Sequence, residues 1–353
     1  MDGYPDFSDL INTLLGRPSD KVHQIELMVD SEVKEAFLGK PVDSVANEVE
    51  FWCDAGYEYV PVVTSVFGFM GDGGDTEITQ EHIFQYSKYS SIPQKRRWAK
   101  EGRGVISTNT EFHDFPWPDP EAIDLSSYLQ ARKSLPNGIG IVGVIPRLFV
   151  AVWMLMGYEQ FSWALFDQPS LVEAVFGKVG EIQFRICCRL LHEVRVDALW
   201  VGDDIACGHG LMASPSIFKS LLFPWYKEIG NICKKANAPL IYHTDGNVFQ
   251  VMGELIDCGI NALHPVEPSA MDAVVLKREF GRDICILGNI ELDTLSRGSS
   301  QDVEKLTLAS LEKLWDHGGY CPGSSNSITN YVPLKNYRSM LQAIEAFRTR
   351  SAP

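Results

Sequence analysis

Residues 239–268, PLIYHTDGNVFQVMGELIDCGINALHPVEP, place four groups able to bind a metal or move a proton beside two neighbouring apolar runs: His243, Asp245, His264 and Glu267. The run 240–242 is short, apolar and preceded by Pro239, which predicts a buried strand. Residues 247–258 carry Val248, Val251, Met252, Leu255 and Ile256 at helical spacing; Gly259 ends that helix and 260–263 opens a second strand. Two strands joined by a right-handed helical crossover run parallel, so their C-terminal ends open on one edge of the sheet. His243 and His264 are therefore expected on one rim, a strand spacing or on the order of 5 Å apart. That spacing suits a metal site or acid–base chemistry.

The same alternation extends over the chain. Strands are expected at 22–29, 57–66, 138–145, 197–201, 283–287 and 319–322 besides the two above, with helical patterns between them such as 31–38, 42–55, 121–133, 169–194 and 334–348. About eight parallel strands alternating with helices make an α/β chain that fits a (β/α)8 TIM barrel better than an open sheet. No repeat or linker interrupts it, so residues 1–353 read as one barrel domain, with 1–20 as an N-terminal helical extension. The polar segments GDD (202–204), HTDG (243–246), HPVEP (264–268), GNI (288–290) and GSSN (323–326) all follow apolar strands, and a barrel brings such segments to a single mouth.

Residues 77–117 lack clear periodicity; 104–108 and 110–115 are expected to form a small antiparallel excursion. Arg96, Arg97, Lys100 and Arg103 around Trp98 read as a solvated face. The loop FGFMGDGGD (67–75) has no phosphate-binding lysine and carries Asp72 and Asp75, so it reads as a loop over the rim.

With 31 Lys and Arg against 46 Asp and Glu, the net charge of −15 argues against nucleic acid or an anionic membrane surface as partner. The opening MDGYPDFSDL has neither a basic nor an apolar signal region, and the longest apolar stretch, 139–156, is broken by Pro146 and Arg147. A cytoplasmic protein is expected. The eight cysteines form no CxxC pair; only Cys207 and Cys321, in glycine-rich surroundings, invite a chemical role.

Each candidate has a structural alternative. Glu26 within the apolar run 22–29 needs either a partner or solvent. Asp203 and Asp204 form a carboxylate pair suited to catalysis, or one of them caps a loop. Asp245 is also placed to cap the helix after it, Glu267 between prolines to form a turn, and Asn289 and Asn326 to shape turns rather than contact substrate. His209 lies in a glycine-rich loop, and Phe67, Phe69, Trp117, Phe149, Trp153 and Tyr226 are candidates to line an apolar pocket, with a core role as the default.

The succession Asp-Asp, His-x-x-Gly, HPxEP, Gly-Asn-Ile and PGSSNSI…VP…NY, from about Gly143 onward, resembles the uroporphyrinogen decarboxylase superfamily. Tetrapyrrole decarboxylases of that superfamily use an arginine-rich first-strand loop and an Asp on the second strand; VHQIELMVD and YEYVPVVTSV have neither, which excludes that substrate. The resemblance to the cobalamin-dependent methyltransferase branch is closer. Its thiol-activating members hold zinc with His-x-Cys and a distant Cys; here the positions are His243, Asp245 and Ser324 or Ser325, a harder donor set suited to polarising oxygen.

The resemblance thus implies a methyltransferase that moves a methyl group from a small methoxylated, aromatic donor to a corrinoid carried by a partner protein. His243, Asp204 and Asp203 would be catalytic, and Glu26, Asn289 and Asn326 would bind substrate. His243, His264, Asp245 and Glu267 would supply metal ligands, with Zn2+ as the candidate ion. A decarboxylase or lyase acting on a small carboxylic acid is the alternative implied for the same rim.

Overall fold

Seven parallel strands curl around a common core in the computed structural model, which describes residues 7–64, 66, 79–84, 87–89, 94–99, 102–316 and 318–351. In chain order they are β1 (Tyr59–Val63), β2 (Gly140–Pro146), β3 (Ala198–Gly202), β4 (Leu240–His243), β5 (Ala262–His264), β6 (Cys285–Ile290) and β7 (Tyr320–Ser324), each paired with the next. Ala198 to Val201 and Leu240 to His243 are buried throughout, as expected for strands covered on both faces. Helices such as Pro169–Arg189, Phe223–Ala236 and Ser300–Leu314 form the outer layer. The fold is that of a TIM barrel.

The eighth position holds the exception. Residues 22–29, expected as the first strand, form no ladder; a single parallel bridge joins Val29 to Ile328. The segment still closes the gap between β7 and β1. Ile25 N–H donates to the Pro322 carbonyl at 2.9 Å, while the Tyr59 hydroxyl on β1 donates to the Glu26 carbonyl at 2.5 Å and accepts from its N–H at 2.7 Å. The crossing is tight at Gly323, where a Cβ would lie 1.9 Å from the Ile25 carbonyl oxygen. Glycine is required there to let two backbones touch.

Glu26 is fully buried against β7, its carboxylate oxygens accepting from Ser324 N–H at 2.6 Å and Ser324 Oγ at 2.8 Å. Glu26, expected to bind substrate, is thus placed with both oxygens bonded within the seam.

Two other expectations change. Residues 109–114 form a short helix, Asn109–Asp114, with Thr108 Oγ1 accepting from Glu111 N–H, rather than half of an antiparallel pair. A hairpin does occur nearby, Thr79–Phe84 against Gln94–Ala99. Phe67, Phe69, Asp72, Asp75 and Lys100 lie outside the described residues, as do the side chains of Arg96, Arg97 and Trp98. Among the described residues no helix is long and apolar enough to cross a membrane.

Burial raises the Glu26 carboxyl from its usual 4.5 to about 8. The native state then keeps a proton that the unfolded chain releases above pH 4.5, so the stability contributed by neutral Glu26 is full below that value and is lost as pH rises towards 8. Glu26→Gln cannot ionise. In urea unfolding, the stability of the unaltered chain minus that of the variant is expected to fall by about 1.4 kcal/mol per pH unit between about pH 5 and pH 8. A difference that does not vary with pH contradicts this reading.

Candidate functional site

Strand register sets the site. Pro146, Gly202, His243 and His264 are aligned partners across β2, β3, β4 and β5, so one row of residues ends four consecutive strands at the mouth. The ladder continues past it: Asp203 N–H donates to the His243 carbonyl at 2.8 Å and Thr244 N–H to the His264 carbonyl at 3.0 Å.

The two imidazoles meet directly, with Nδ1 to Nδ1 at 2.8 Å and ring centroids 5.0 Å apart. Only one proton fits between two such nitrogens, so the tautomer of either ring dictates that of the other. Burial lowers the pKa of both, and that of His264 falls further below the usual value because His243 sits beside it. Burial thus favours the neutral form of each ring.

His264 is fully buried; its Nε2 has no hydrogen-bonding partner, and its ring packs edge-on against Trp200 with centroids 5.0 Å apart. As placed, one nitrogen bonds His243 and the other is sealed, so His264 stands behind the trio rather than within it.

The free Nε2 of His243 faces two carboxylates, lying 3.7 Å from Asp204 Oδ1 and 3.7 Å from Asp245 Oδ1. One donor atom from each of Asp204, His243 and Asp245 lies within 4.8 Å of the others. The loop carrying Asp245 is braced on three sides. Its N–H donates to Asp204 Oδ1 at 2.9 Å, the next N–H, of Gly246, donates to Glu267 Oε2 at 3.0 Å, and Asn326 Nδ2 reaches both Asp245 oxygens at 2.9 and 3.1 Å. Gly246, at φ +81°, passes so close to Cys207 that a Cβ would lie 2.4 Å from its carbonyl. Burial first, then the charges of Asp204 and Glu267, push the Asp245 carboxyl up to about 7.

The remaining candidates fall elsewhere. Asn326 steadies Asp245, and Asn289, at φ 74°, turns its amide to the Val266 carbonyl at 2.7 Å. Glu267 reaches the trio through its charge and the Gly246 amide. Ser324 Oγ is bonded to Glu26, Ser325 Oγ accepts from Leu292 N–H, and Cys321 is buried on β7; none joins the histidine. Cys207 and His209 lie exposed in the hairpin of Ala206–Cys207 and Gly210–Leu211. Phe149 and Tyr226 are core residues.

Asp203, expected among the catalytic groups, is placed as a buried acceptor outside the trio. Fully buried, it accepts from Phe149 N–H at 2.7 Å, Val150 N–H at 2.9 Å and the Tyr226 hydroxyl at 2.5 Å. The helix Phe149–Met156 is apolar and almost wholly buried, so its first amides cannot reach water and need this carboxylate. Asp203→Ala strips partners from all three donors. It is expected to lower stability in urea by roughly 2–4 kcal/mol, whereas Asp204→Ala, at a partly exposed site, costs about 1 kcal/mol or less; equal losses contradict the division of roles.

No curated protein matches the chain. Among solved structures it is similar to a methyltransferase from Methanosarcina mazei, with a TM-score of 0.70, 18% identity, and coverage of 96% of this chain and 98% of that one. A weaker likeness, TM-score 0.47 and 11% identity, is to the exo-beta-1,4-mannosidase Op5Man5 from Opitutaceae bacterium strain TAV5, covering 94% of this chain and 59% of that one. The family model described as uroporphyrinogen decarboxylase (URO-D) matches residues 108–347, a span from the helix before β2 to the closing helix that contains every member of the trio, and the chain belongs to that family.

Proposed function

We propose that this chain is a methyltransferase that takes a methyl group from a small methoxylated, aromatic donor and passes it to the cobalt of a corrinoid carried by a partner protein. The observation that carries the reading is His243 Nε2 set 3.7 Å from both Asp204 and Asp245 at the barrel mouth. Cleaving an aryl ether sends the C–O electron pair to oxygen while reduced cobalt supplies the pair for the new bond to carbon. The leaving phenolate has a pKa of about 10, so the reaction needs an acid on that oxygen.

The donor set fits a divalent ion. One imidazole nitrogen and two carboxylates, converging from neighbouring strand ends, resemble the three-ligand N/O sets of catalytic zinc sites, which keep one position open. Bound there, such an ion supplies Lewis-acid polarisation of the leaving oxygen. The chain's own residues set the geometry: His264 fixes the His243 ring, and Asn326 and the Glu267-bonded Gly246 amide fix Asp245. Without an ion, the Asp245 carboxyl, at about 7, is poised to hold a proton near neutral pH and deliver it to the same oxygen.

Decarboxylation of a polycarboxylated tetrapyrrole is disfavoured. Residues 22–29 contain no arginine, and the trio is anionic.

With a reduced corrinoid protein and a methoxylated aromatic compound, the purified chain is expected to release the phenol only when both are present. His243→Ala is expected to cut turnover by at least about a hundredfold with little change in melting temperature. Carbon dioxide release from a small carboxylic acid without any corrinoid would overturn the proposal. Dialysis against a chelator separates the two forms of acid assistance: phenol release is lost if an ion acts and persists if Asp245 is the proton donor.

A further inference from the structure

Arg147 stands beside this site with no counter-ion among the described residues. It is the first residue after β2, one step beyond the row Pro146, Gly202, His243 and His264, and its N–H donates to the Gly202 carbonyl at 2.9 Å. Its φ of 36° lies in the left-handed region, which is costly for a residue with a Cβ and is found most often where a side chain must be aimed. Gln183 Nε2 donates to its carbonyl at 3.2 Å, so the backbone is held on both sides.

The guanidinium itself is poorly served. Its hydrogen-bonding partner among the described residues is the Met154 thioether at 3.9 Å, a weak acceptor, and no described carboxylate lies within 4.0 Å. In a chain with 46 acidic and 31 basic residues, a partly buried arginine left without an acid is unusual. Its charge reaches the site, opposing protonation of both His243 and Asp245. Arg147 is only partly buried, and a guanidinium with such donors to spare can take a carboxylate in bidentate fashion.

We infer that Arg147 binds an anionic group, a carboxylate in the plane of its fork, on the methyl donor whose oxygen is held at His243, Asp204 and Asp245. This rests on the methyl-transfer reading and narrows it to donors bearing a negative charge. β2 and β4 are two strand spacings apart, about 10 Å, a span suited to one substituted ring with a polar group at either end. The acids beside His243 repel the carboxylate end, and the arginine attracts it, so the two together fix which end of the donor faces the reacting atoms.

The test measures binding to the full chain by calorimetry, without the corrinoid protein, using 4-methoxybenzoate and its uncharged amide, 4-methoxybenzamide. The unaltered chain is expected to bind the carboxylate at least about tenfold more tightly. Arg147→Gln should erase that preference while leaving the amide unaffected, and Arg147→Lys should keep part of it. If Arg147→Gln does not fold, a salt titration of the unaltered chain replaces it, with the preference shrinking as ionic strength rises. Equal binding of the two compounds, or a preference that survives Arg147→Gln or high salt, overturns the inference. Demethylation of both compounds at equal efficiency would do so while sparing the methyl-transfer reading; the expected preference without any demethylation would overturn that reading and leave the anion site.

Discussion

One ladder register underlies the chemistry at the mouth. Backbone hydrogen bonds bring Pro146, Gly202, His243 and His264 into a single row across four parallel strands, and the two imidazoles inherit that alignment. A slip of one residue in β4 would turn His243 to the opposite face and disperse the trio. The backbone therefore brings together groups far apart in sequence, and contacts between the loops at the strand ends complete the trio. Glu26 and Asp203 are bonded into this frame: one joins the seam at β7, the other ties a buried helix to the end of β3.

The parallel architecture was legible because it rests on simple patterns. Apolar runs such as GIVGVI and ALWV, each followed by glycine or a polar turn, announce covered strands, and the crossover rule then places His243 beside His264. Residues 22–29 misled because their alternation resembles a strand, yet the path across Gly323 leaves room for side-chain bonds in place of a full ladder. Thr108 caps a helix whose six residues are too short to show a period.

Site roles were less legible than site location. A carboxylate after a strand can point into the mouth or back into the core, and sequence does not separate Asp203 from Asp204. What separates them is the buried helix whose amides claim the first and leave the second beside His243. His264 shows the same limit: its type and spacing are those of a ligand, and only the 2.8 Å contact and the neighbouring indole reveal a supporting role. Arg147 carried one signal, a cation at a strand end in an acidic chain, while its left-handed backbone and its lack of an acid partner among the described residues emerged only in three dimensions.

The phenol of Tyr59 is where the barrel differs most from a fully laddered cylinder. One hydroxyl, bonded to both the amide and the carbonyl of Glu26, replaces a run of backbone bonds between β1 and its neighbour. A zipper with a single tooth opens more readily than one with five, so thermal breathing should concentrate along this line and expose the Glu26 amide to deuterium before those of β3 and β4. The wall carrying His243 and the two carboxylates, fully laddered, should then open later than this seam.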